Sequence, residues 1–125
     1  MNVKISSRLS IAVFSIAVLA LSALALAHTK LEKSVPAAGA ALTESPKQIE
    51  LWFNEKIDPA VSKLELSSPS GKIELTGQHQ MGEKTLMAAV KDTLGAGTYT
   101  VNWQAAGTDG HVVKGDFTFS VKTTH

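Results

Sequence analysis

Cysteine is absent from the chain. The fold therefore rests on packing without disulfides, and any metal must be held without thiolate, the softest protein ligand. No thiol stands where a lipid is attached, which excludes a lipoprotein. Neither a reactive Cys nor a Gly-x-Ser-x-Gly elbow points to a hydrolase. Charge of one sign is also lacking, since twelve Lys and Arg stand against eleven Asp and Glu. With no basic stripe, the sequence offers no electrostatic footprint for nucleic acid or an anionic membrane surface. Beyond residue 27 no ten-residue stretch has a helical period, no segment repeats, and no low-complexity linker divides the chain.

One long apolar run is present, at the start. Lys4 and Arg8 precede a mostly apolar stretch from Ile11 to Leu26, broken by Ser15 and Ser22, and Ala25-Leu26-Ala27 has the form of a cleavage site. Residues 1–27 are expected to be a cleaved secretory signal peptide, which makes His28 the first residue of the working protein. The competing expectation is an uncleaved anchor, because the stretch approaches the length of the shortest membrane-spanning helix. Residues 28–125 then form one small domain, with ten basic and eleven acidic side chains and a formal charge of −1. No membrane insertion of this mature part is expected.

Period-2 alternation recurs through that domain and predicts an all-β fold. In "KQIELWFNE", Ile49, Leu51 and Phe53 point one way and Gln48, Glu50, Trp52 and Asn54 the other, so Trp52 is an aromatic on a polar face. In "SKLELSSPSGKIELTG", Leu64 and Leu66 precede the turn signal Ser68-Pro69-Ser70-Gly71, and Ile73 and Leu75 follow it, which predicts a hairpin. "TYTVNWQA" aligns Tyr99, Val101, Trp103 and Ala105, "DFTFSV" aligns Phe117, Phe119 and Val121, and "TLMAAVK" aligns Leu86, Ala88 and Val90. "VPAAGAALTESP" reads as a loop with room for a short helix. "LGAGTYTV" has the form of a tyrosine corner, in which a Tyr near a strand start bonds to upstream backbone, and it favours an immunoglobulin-like sandwich.

Two histidines carry the candidate chemistry. A processed N-terminal His28 offers its free α-amine and its imidazole Nδ1 to one metal, a chelate closed to an internal His. In "GTDGHVVKG", Asp109 and His111 are two apart, so in an extended segment both project to the same side. Alone, Asp-Gly-His is ordinary turn chemistry. Joined to His28 it gives three nitrogens and one oxygen, a set suited to tetragonal Cu(II) and, by the Irving–Williams order, better suited to Cu(II) than to Ni(II) or Zn(II).

The post-signal "HTKLEKSVPAAGA", then "IELWFNEKID", then "LGAGTYTVNWQAAGTDGHVVKGDFTFSV" resemble the CopC family of periplasmic copper-resistance proteins, including its YobA-like members, over residues 28–125. The resemblance implies a small Greek-key, immunoglobulin-like β-sandwich of about seven strands. It further implies one Cu(II) ion per chain, buffered or carried in the periplasm rather than used in an enzyme. The ligands it implies are His28, Asp109 and His111, with Glu55 as an outer-sphere or axial partner. It also suggests a CopD-like copper transporter of the inner membrane as partner; a monomer is expected because a site filled within one chain requires no dimer. Some members hold Cu(I) at a second, methionine-rich site. In "GQHQMGEKTLM" only His79, Met81 and Met87 are available; His79 and Met81 are the candidate Cu(I) ligands, Met87 reads as core, and the small number of soft ligands argues against a Cu(I) site.

Two other functions compete. A histidine brace on a β-sandwich resembles the copper site of lytic polysaccharide monooxygenases, but that chemistry needs an open metal position, which Asp109 and His111 would fill. A metal-free immunoglobulin-like module explains the strands and leaves the histidines unexplained. Trp52 and Trp103 are expected to pack, and His125 ends a polar tail with no assigned role.

Overall fold

The computed structural model describes residues 29–122; the apolar N-terminal run, His28 and His125 lie outside these. Among the described residues nine strands form: β1 (Leu31–Val35), β2 (Ala41–Leu42), β3 (Gln48–Phe53), β4 (Lys63–Ser68), β5 (Gly71–Ile73), β6 (Leu75–Gln80), β7 (Thr85–Val90), β8 (Gly97–Ala106) and β9 (Val112–Val121). Among the described residues no helix is long and apolar enough to cross a membrane. Four strands pair in the order β1-β3-β7-β6 and five in the order β2-β9-β8-β4-β5. The chain crosses between sheets after β1, β2, β3, β5 and β7, making a Greek-key, immunoglobulin-like sandwich. Two strands, β2 and β5, are only two and three residues long, so seven substantial strands remain.

The alternation read from sequence is the alternation of burial. Ile49, Leu51 and Phe53 of β3 and Leu86 and Ala88 of β7 face Leu64, Leu66, Val101, Ala105, Phe119 and Val121 of the other sheet, all buried. Each large aliphatic or aromatic side chain so placed contributes about 1.5–3 kcal/mol by leaving water. Tyr99 stacks on Phe119 with ring centroids 5.6 Å apart. Its hydroxyl donates to the Gly95 carbonyl at 2.7 Å, which closes the tyrosine corner.

Three local expectations change, and one anomaly is explained. Residues 36–47 hold no helical turn; the segment lays β2 parallel to the end of β9, pairing Ala41 with Ser120 and Leu42 with Val121. Ile73 and Leu75 do not share a strand, because the chain passes from one sheet to the other at Glu74. Met87 is not core: it sits half-buried between Leu86 and Ala88, on the outer face of β7. Trp52 lies on the outer face of β3, where the Lys33 ammonium stands 4.7 Å from its ring centroid, so a cation–π contact accounts for the aromatic.

Candidate metal centre

Three segments meet at one end of the sandwich, where β1 and β9 begin and β3 and β8 finish. The first is Thr29-Lys30. The Lys30 N–H donates to Asn54 Oδ1 at 2.8 Å and the Asn54 N–H donates to the Lys30 carbonyl at 3.0 Å. This pair fixes the chain entry beside the second segment, residues 54–58. The third, residues 106–111, is tied to the second by an antiparallel bridge between Ile57 and Gly107 and by the Asp58 N–H donating to the Ala106 carbonyl at 2.9 Å.

Gly107 is the point of closest approach. A Cβ built there would overlap Glu55 Oε1 and lie 2.6 Å from Thr29 Oγ1, so both side chains rest against bare backbone. Thr29 is buried and Glu55 half-buried. Glu55 is therefore half-buried against Gly107 and is not a fully solvated loop carboxylate.

From Gly107 the chain turns, with the Gly110 N–H donating to the Gly107 carbonyl at 3.1 Å. Gly110 has φ +82°, which a glycine adopts without steric penalty. This turn, rather than an extended strand, brings Asp109 and His111 together. Asp109 Oδ1 accepts from the His111 backbone N–H, and Oδ2 lies 3.0 Å from His111 Nδ1; the first contact is also 3.0 Å. Hydrogen bonding from the His111 ring, then from its backbone N–H, holds the Asp109 carboxyl below its ordinary value of 3.8.

A carboxylate at Nδ1 favours the tautomer that carries its proton there, which leaves Nε2 as the nitrogen with a lone pair for a metal. Each Asp109 oxygen has a second lone pair beyond the bond it accepts. The pair can thus present one nitrogen and one oxygen to a cation. Among the described residues no group of three or more His, Cys, Asp and Glu side chains could hold a metal ion, so a complete set needs a further donor.

Of the sequence candidates, Asp109, His111 and Glu55 belong to these meeting segments, and His28 lies outside the described residues. His79 and Met81 belong instead to β6 and the turn after it, at the edge of the four-stranded sheet. Trp103 packs edge-on to Phe53, with centroids 5.4 Å apart, and lies over Gly115. Sequence reasoning missed Thr29, Asn54 and Gly107. Asn54 ends the "WFN" alternation and Gly107 opens "GTDGH", but neither pattern names a partner 24 or more residues away.

The chain matches the family model described as the CopC domain over residues 31–122. Protein YobA of Escherichia coli K12 is 36% identical over 99 residues, covering 77% of this chain and 80% of that protein. Copper resistance protein C of Pseudomonas syringae pv. tomato is 36% identical over 111 residues, covering 81% and 86%. Among solved structures, CopC from Methylosinus trichosporium OB3b superposes with a TM-score of 0.72 at 26% identity, over 78% of this chain and 97% of that one.

Proposed function

The chain belongs to the CopC family, and on that premise we propose that it is a periplasmic Cu(II)-binding protein that buffers or carries one copper ion for copper resistance and homeostasis. The amine and imidazole of a processed His28 and the side chains of Asp109 and His111 form its coordination plane. The observation that carries this reading is the Asp109–His111 pair, poised in a turn that starts at Gly107, against which Thr29 packs. Covalent geometry keeps the Cα of His28 about 3.8 Å from that of Thr29. A relative named for copper resistance supports the choice of metal.

In this site His111 supplies Nε2, and Asp109 both orients the His111 ring and supplies an oxygen. Glu55 acts from the outer sphere, steadying the Thr29 segment against Gly107. Four ligands fill a tetragonal Cu(II) plane and leave no equatorial position for oxygen or substrate, which favours a carrier over an oxidative enzyme. A monomer is sufficient because all four donors come from one chain. Copper then passes to or from a CopD-like membrane transporter, the partner that family membership suggests.

The test is a competitive Cu(II) titration of protein beginning at His28 and of its His111→Ala and Asp109→Ala variants. Each variant is expected to bind at least tenfold more weakly, with a changed Cu(II) electron paramagnetic resonance spectrum. Unchanged affinity and spectrum in both variants would remove these residues from the site.

A further inference from the structure

We propose that Gln80, at the end of β6, is a positioning residue of the copper centre: its side-chain amide fixes Ile57 and, through Ile57, the place of Gly107 and of the Asp109–His111 turn that follows. The inference rests on the Cu(II) reading above and adds to that site a residue from the other sheet.

Strand register brings Gln80 inward. β6 pairs with β7 through Thr76 opposite Ala89 and then His79 opposite Met87, three steps on one strand against two on the other. The extra residue is a bulge, beside Gly77 at φ +63°. Regular pairing from Thr76 would set Gln80 opposite Thr85, which shares the outer face with Trp52. The bulge sets it opposite Leu86 instead, a residue of the core. A polar side chain turned to that face needs partners there.

Its partners are backbone carbonyls of two segments. Gln80 Nε2 donates to the Ile57 carbonyl at 3.2 Å and to the Glu83 carbonyl at 2.7 Å, one hydrogen for each. The Ile57 N–H donates to the same Glu83 carbonyl at 3.0 Å, so Gln80, Ile57 and Glu83 close a ring. Ile57 belongs to no strand, and on one side of it this ring stands in for a ladder. On the other side lies the bridge to Gly107. Gln80, Ile57, Gly107, Thr108 and Gly110 line one cleft, so the amide stands beside the turn it holds. Lys56 and Glu83 also approach to 3.9 Å, but both are exposed and such a pair contributes little.

Gln78 provides a comparison within the same strand. Its Oε1 accepts from the Leu64 N–H and its Nε2 donates to the Ser62 carbonyl, both at 3.0 Å. A glutamine that only closes the edge of the sandwich does what Gln78 does. Gln80 differs because its partner, Ile57, is bridged to Gly107.

The test uses isotope-labelled protein beginning at His28 and sets Gln80→Glu beside Gln78→Glu. A carboxylate keeps the shape of the amide and donates nothing, so at position 80 it loses both carbonyls. In metal-free Gln80→Glu the amide resonances of residues 107–111 should shift, and Cu(II) affinity should fall by about three- to tenfold, with a changed electron paramagnetic resonance spectrum. Gln78→Glu should leave resonances and affinity as in the parent. Gln80→Leu removes the donors without adding charge; it should repeat the Gln80→Glu result, and it replaces that variant if Gln80→Glu does not fold. Unmoved resonances in a folded Gln80 variant would overturn the proposal, and so would equal weakening of Cu(II) binding in Gln78→Glu. If shifted resonances accompany a Cu(II) affinity indifferent to His111→Ala, Gln80 still positions the turn and the Cu(II) reading is what fails.

Discussion

Gly107 needs to be glycine for lack of space, because any Cβ would meet Glu55 and Thr29. In Gly107→Ala the flexible end of Glu55 can swing away, but Thr29 is buried and its Oγ1 must move with the chain entry. Cu(II) affinity is expected to fall by about tenfold, the lower end of what a disturbed outer sphere costs. The check is a competitive titration with circular dichroism as a fold control; unchanged affinity would mean that the Thr29 segment does not position the site. Asp109 and His111 were legible as a candidate pair because both residue types are metal ligands at short spacing. Thr29, Asn54 and Gly107 were not, since close approach between segments 24 or more residues apart leaves no local pattern.

Strands were the most legible elements, because two-residue alternation is imposed directly by a sheet with one buried face. The alternations of β3, β7, β8 and β9 match burial almost residue for residue. Where the structure departs, a single residue is responsible: Glu74 carries the chain from one sheet to the other, and the bulge at Gly77 reverses which side chains face outward. Neither insertion alters composition enough to be read in advance. The pairing of Trp103 with Gly115 in β8 and β9 is a further case, since the indole occupies the space a side chain would fill. A Cβ at Gly115 would stand 2.5 Å from Trp103 Cζ2, so Gly115→Ala must displace the ring from Phe53. Overpacking of this kind costs about 1–3 kcal/mol. Urea unfolding followed by tryptophan fluorescence should register that loss, and an unchanged midpoint would show that the ring relocates freely.

For the whole molecule, pH response separates the proposed ligands. Asp109 has a depressed carboxyl pKa, so its interaction with His111 is present above the unfolded value of 3.8 and fades as pH falls through the lower folded value. It is thus constant across mildly acidic conditions. With His28 and His111 as ligands, copper would have to displace protons from the α-amine and both imidazoles, three of the four proposed donors. Copper affinity is expected to fall steeply below about pH 6 while circular dichroism stays unchanged. A flat affinity between pH ~7.5 and ~5.5 would contradict amine and imidazole ligation. The β-sandwich thus brings Thr29 to the turn that pairs Asp109 with His111, and a cut after Ala27 would supply the missing nitrogens. Competitive Cu(II) titration of protein beginning at His28, beside the same protein with one alanine placed before it, tests that claim most directly. The extension keeps every side chain and separates the terminal amine from the His28 ring. A loss of affinity of at least tenfold is predicted, and equal tight binding by both proteins would contradict the account.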